Sequence, residues 1–166
     1  MAYLIGIPIL AILAILQSVV FNDIKLLDGR TDLILLAVVT WGIVGRPREA
    51  LVWALVGGLF LDLLSGVPLG TTSIILIVIT FLVSFSEGRF WESHFLMPMG
   101  VILAASLLYY VLSMAIIWII GHELDFNMTL FRIILPSTFL NLLLILPATQ
   151  LARSLRQSLY PPEVSI

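Results

Sequence analysis

The sequence has 166 residues, of which 61% are hydrophobic and 11% charged, against roughly 45–50% and 25% in a soluble domain. That balance excludes a soluble globule and marks an integral membrane protein, while a net charge of −2 without a basic patch gives nothing to follow a nucleic-acid backbone. The lack of cysteine excludes a disulfide framework, a thiolate nucleophile and cysteine-type metal sites.

A helix that crosses a bilayer needs about 20 mainly apolar residues, and six segments approach that length. Tyr3–Phe21 has neither a basic stretch before it nor a small-residue cleavage site behind it, so it reads as a retained first span. Asp32–Val44 and Ala50–Leu64 are short, and must borrow loop residues or sit between longer neighbours. Thr31 is a good N-cap for the second span, with the acid Asp32 in its first turn. Thr71–Ser86 follows a tight turn, Phe95–Ile120 is long enough to tilt, and Leu130–Leu151 completes the set. The predicted fold is all-α: one integral membrane domain over residues 1–166, a bundle of six transmembrane helices.

Arg46, Arg48, Arg89, Arg153 and Arg156 fall on one side of these spans, and Lys25, Arg30 and Arg132 on the other. The positive-inside rule then predicts that both termini are cytoplasmic. Trp41, Trp53, Trp91 and Trp118 lie near span ends, where aromatic side chains anchor a helix at the membrane interface.

Steps of four along the third span meet Ala50, Ala54, Gly58 and Asp62, and Gly57 widens the flat face. Helices in lipid associate through close backbone approach, so a small-residue ridge is a contact surface, either for the chain's own helices or for a partner's. Asp62 sits at the C-terminal end of that helix, where the macrodipole disfavours negative charge and a compensating donor is needed. The "SGVPLGTTS" stretch behind it places Gly66, Pro68 and Gly70 in a tight turn and then offers the amides and hydroxyls of Thr71, Thr72 and Ser73. Asp62 is expected to accept from those groups and clamp the hairpin.

Gln17, Thr40, Thr80, Ser106, Ser113 and Asn141 lie inside spans and are expected to bond across helices. Tyr109 and Tyr110 stand midway along the fifth. His94 and His122 fall at boundaries on opposite sides of the membrane, and no HExxH, GxSxG or phosphate-cradling glycine loop is present. With no paired acids or Ser-His pair in view, neither an enzyme nor a cofactor or metal site is expected.

The run "DGRTDLILLAVVTWGIVGRPREALVWALVGGLFLDLLSGVPLGTTS" resembles the MreD family of bacterial rod shape-determining membrane proteins. The likeness is carried by Asp32-Leu33 opening the second span, Gly45 near its end, and "GGLFLDLLSGVPLG" from Gly57 to Gly70. It is densest over Asp28–Ser73, with Thr31 standing where the family would place proline. The resemblance implies a non-enzymatic scaffold of the cell-wall elongation machinery, or rod complex, in the bacterial cytoplasmic membrane. Its implied partners are the bitopic protein MreC and, directly or through it, the glycosyltransferase RodA with its class-B penicillin-binding transpeptidase, so that it supports peptidoglycan synthesis and cell shape.

The MreD family is also similar to the S-components of energy-coupling-factor transporters, which implies a second reading as a vitamin-binding transporter subunit. Such a subunit would carry an Ala-xxx-Ala ridge on its first helix. Here Ala11 and Ala14 do not have that spacing, and the small ridge is on the third helix, which favours the scaffold. The candidate partner-binding face is Ala50, Ala54, Gly57 and Gly58, and the structural motif is Asp32, Asp62, Gly66, Pro68 and Gly70.

Overall fold

Proline and glycine set most of the helix ends. A computed structural model describes residues 2–19, 26–44, 46–85, 96–121 and 125–161 of the chain, and their regular structure is helical. The helices are α1 (Ala2–Val19), α2 (Leu33–Ile43), α3 (Pro47–Ser65), α4 (Thr71–Ser84), α5 (Leu96–Ile119) and α6 (Phe126–Leu159). The third helix begins at Pro47 rather than Ala50, because proline at the first helical position has its φ already set and no amide to strand. It stops at Gly66, whose φ of 69° is left-handed. Gly70, with φ 94°, turns the chain into α4.

α6 opens on Asp125, whose carboxylate accepts from the Met128 amide at 3.1 Å. Its residues Leu130–Ile134 form a π-helical turn just before Pro136. Proline has no N–H to give the carbonyl four residues back, which here is that of Arg132. The Asp28 amide takes that carbonyl at 3.1 Å, so the turn formed by residues 26–29 is tied to the last helix. Gly29 makes the approach feasible: a Cβ there would lie 2.7 Å from the Ser137 nitrogen.

α2 is the pillar of the bundle. At 11 residues and about 1.5 Å rise per residue, it is far shorter than a hydrocarbon core of roughly 30 Å. All five other helices touch it, and nine of its residues are buried. That is why its sequence is apolar all round: it faces helices instead of lipid.

Among the described residues, two helices are long and apolar enough to cross a membrane unaided, α5 and α6. Ile5–Val19 of α1, α2 and α4 are apolar but shorter. The six predicted segments are therefore all helical, and among the described residues two of them pass as full spans by length and composition. Only 17% of the most apolar window of α5 is buried, and Leu103, Leu107, Val111 and Trp118 point outward. An apolar helix so little covered by its own chain is built to face lipid or another protein.

Two of the four tryptophans depart from the predicted interfacial role. Trp41 and Trp53 are buried and stacked on each other, with centroids 4.5 Å apart and planes 9° from parallel, locking α2 onto α3. Trp118 is exposed, and Trp91 lies outside the described residues.

Candidate functional site

The small-residue ridge of α3 is filled by the chain itself. Ala50, Ala54, Gly57 and Gly58 are all buried. A Cβ placed on Gly58 would fall 2.5 Å from the backbone nitrogen of Ser73 on α4, and one on Gly57 would fall 2.8 Å from Ile34 Cγ2 on α2. The expected partner-binding face is thus an intramolecular seam, because α4, α2 and α1 occupy the space a partner's helix would need.

At the end of that ridge, Asp62 is 2% exposed. Its Oδ2 accepts from the Gly70 amide at 2.8 Å and its Oδ1 from the Thr72 amide at 3.0 Å. The donors are backbone amides rather than the hydroxyls also expected. The Ser73 hydroxyl donates instead to the Leu55 carbonyl at 3.0 Å, a second stitch between α3 and α4. Asp62 thereby offsets its own unfavourable helix end with the amide-rich start of the next helix. Gly66 and Gly70 supply the left-handed corners of the connecting turn, and Pro68 accepts from the Thr71 amide at 3.2 Å.

Asp62→Leu is expected to lower stability by about 1–3 kcal/mol, the cost of leaving the buried Thr72 amide unpaired, since the half-exposed Gly70 can turn to water. Asp62→Asn keeps one acceptor and should lose less. Thermal melting of the two purified variants checks this, and equal losses would mean that the charge matters more than the hydrogen bonds.

A second buried acid organises the same end of the bundle. Asp32 occupies the N-cap position of α2 in place of Thr31, but its carboxylate caps nothing there. It points into the bundle instead. Oδ2 accepts from the Tyr110 hydroxyl and, at 3.2 Å, from Asn141 Nδ2. The Asp32 amide donates back to Asn141 Oδ1 at 2.9 Å, and Asn141 Nδ2 also reaches Ser106 Oγ at 3.1 Å. Gln17 links α1 to this knot, accepting from the Ile34 amide at 3.1 Å and lying 3.5 Å from Asp32 Oδ1. Four helices, α1, α2, α5 and α6, meet through one carboxylate. Beside it is a half-open cavity of about 280 Å³, whose wall includes Asp32, Gln17, Thr72, Tyr109, Tyr110 and Ser137.

A third acid, Glu49, stands directly before the predicted span Ala50–Leu64. It is buried, accepting from Trp41 Nε1 at 3.1 Å and from the Tyr160 hydroxyl at 2.6 Å. The Arg46 guanidinium stacks 3.5 Å over the Tyr160 ring, and Arg156 donates to the Val44 carbonyl at 2.5 Å. These contacts strap the last turns of α6 to the α2–α3 corner, at the end opposite Asp32 and Asp62.

Among the described residues, no group of three or more His, Cys, Asp or Glu side chains could hold a metal ion. His94 and His122 lie outside the described residues, as do Lys25, Gly45 and Arg89.

A family model described as rod shape-determining protein MreD matches residues 1–155. The chain belongs to the MreD family. No curated protein and no solved structure matches it. Membership of the MreD family makes this a membrane protein with a role in rod shape determination, of a structural kind rather than a known enzyme. The matched residues hold the whole Asp32 knot and the Asp62 clamp. Arg156 and Tyr160, two members of the strap, lie beyond the part matched as MreD.

Proposed function

We propose that this chain is a non-enzymatic scaffold of the bacterial cell-wall elongation machinery, resident in the cytoplasmic membrane. It engages MreC and supports the RodA glycosyltransferase with its class-B penicillin-binding transpeptidase, and so peptidoglycan synthesis in rod-shaped cells. The observation that carries this reading is the family match over residues 1–155. The use of the acids agrees with it: both oxygens of Asp62 and of Glu49 are engaged by donors of the chain itself. Because the α3 ridge is closed, MreC is held on another face, and α5 and α6 offer exposed apolar sides for it.

Orientation follows from the arginines. Arg46 and Arg156 lie together at the Glu49 end, while Arg132 pairs with Asp28 at 3.8 Å at the other, which supports a cytoplasmic Glu49 end and cytoplasmic termini. One fusion tests both statements. A C-terminal tag that fluoresces only in the cytoplasm should be bright, and capture through it from gently solubilised membranes should bring down MreC. A correctly inserted but dark fusion would overturn the orientation. Capture without MreC, RodA or the transpeptidase would overturn the scaffold assignment.

A further inference from the structure

We propose that the cavity beside Asp32 binds a primary ammonium group, carried either by a small free amine or by an aminated lipid headgroup. Asp32 is nine-tenths buried, and its two oxygens are unequally satisfied. Oδ2 holds the Tyr110 hydroxyl and Asn141 Nδ2, whereas the contact of Oδ1 is Gln17 Nε2 at 3.5 Å, at the outer limit of hydrogen bonding. Among the described residues Oδ1 has that one long hydrogen bond, so it retains room to accept from a donor in the cavity that Asp32 lines.

The charges around the cavity point to the sign of the missing group. Among the described residues that line it, Asp28 and Asp32 are opposed by Arg30, which leaves one negative charge in surplus. A monocation balances it. Groups of three acid or imidazole ligands are absent among the described residues, which disfavours a metal ion. An ammonium asks for something else: one carboxylate, a few neutral acceptors and an aromatic face.

The wall provides these. Ser113 gives its own proton to the Tyr109 carbonyl at 2.7 Å, leaving its lone pairs able to accept. Tyr109 and Tyr110 both line the space and lie edge to face with centroids 5.4 Å apart. At about 280 Å³ the cavity falls near the small end of ligand sites, roughly 300–1,000 Å³, as suits a headgroup-sized molecule. The two sources of the ammonium differ only in what it is attached to.

The inference does not depend on the scaffold role, because binding is measured on the isolated full-length chain. Ethanolamine is the probe, and ethylene glycol, with a hydroxyl in place of the ammonium, is the control. Ethanolamine should raise the melting temperature saturably and ethylene glycol should not. Ser113→Leu fills the cavity without touching Asp32, and should weaken ethanolamine binding at least tenfold while the unliganded protein melts as before. Asp32→Asn should weaken it comparably.

Reconstitution in mixed phosphatidylethanolamine and phosphatidylglycerol, followed by mass spectrometry of the intact protein, separates the sources. Selective retention of one phosphatidylethanolamine, displaced by ethanolamine, identifies a headgroup. Ethanolamine binding without such retention identifies a free amine. The proposal is overturned if neither compound is bound selectively, if ethylene glycol acts equally, or if folded Ser113→Leu protein binds ethanolamine like the unaltered chain.

Discussion

Gly58→Leu is expected to leave almost no folded protein in the membrane. At this position α3 and α4 are in backbone contact, with an added Cβ 2.5 Å from the Ser73 nitrogen and 2.6 Å from its hydroxyl. Overpacking a core ordinarily costs roughly 1–3 kcal/mol, because flexible side chains move aside. Here the obstacle is backbone, and the same Ser73 hydroxyl is bonded to the Leu55 carbonyl, so relief requires the helices to separate. Even Gly58→Ala should cost about 3 kcal/mol or more. Leu59→Ala, on the exposed side of α3, is the control and should accumulate normally. Immunoblots of membrane fractions decide the matter: a Gly58→Leu chain present at normal levels, with an unchanged melting temperature, would mean that α3 and α4 are farther apart than described.

Asp32→Leu is the second large effect. Removing the carboxylate takes the acceptor from both Tyr110 and Asn141; the asparagine is 0% exposed and out of reach of water, whereas the Tyr110 hydroxyl borders the cavity and can turn to it. At roughly 1–3 kcal/mol for the stranded asparagine amide, the loss is a large fraction of the stability of many domains. Asp32→Asn retains an oxygen toward the same donors and should be distinctly milder. The decisive measurement is a double-mutant cycle. Once Asn141→Leu is present, Asp32→Leu should cost less than it does alone. Additive losses would show that the two side chains are not coupled.

How far the sequence discloses these features depends on the distance along the chain between partners. The Asp62 clamp is legible because its donors lie within ten residues of it, in a turn whose glycines announce their geometry. The ridge of Ala50, Ala54, Gly57 and Gly58 is legible as a close-contact face, but nothing local says whose helix fills it. Asn141 is 109 residues from Asp32 and Tyr160 is 111 from Glu49, and no periodicity links positions so far apart. Each looks like an isolated polar residue in a span or a tail. Glu49 misleads further, since a charge beside Arg46, Pro47 and Arg48 reads as a loop. Pro47 in fact starts the helix there, and the acid faces inward beneath Tyr160. The tryptophans err for a related reason: being near a span end does not tell lipid from a neighbouring helix.

The distance between Asp32 and Asn141 also has a temporal meaning. A ribosome delivers the pillar helix long before the final one, and membrane insertion follows that order. Until α6 is released, Asp32 lacks Asn141, Asp28 lacks the Arg132 carbonyl, and Glu49 lacks Tyr160. A nascent chain halted after α5 therefore holds two poorly matched acids, with the Asp62 clamp formed but neither the Asp32 knot nor the Glu49 strap complete. Closure of the Asp32 knot and of the Glu49 strap waits for α6, the last of the described helices in chain order.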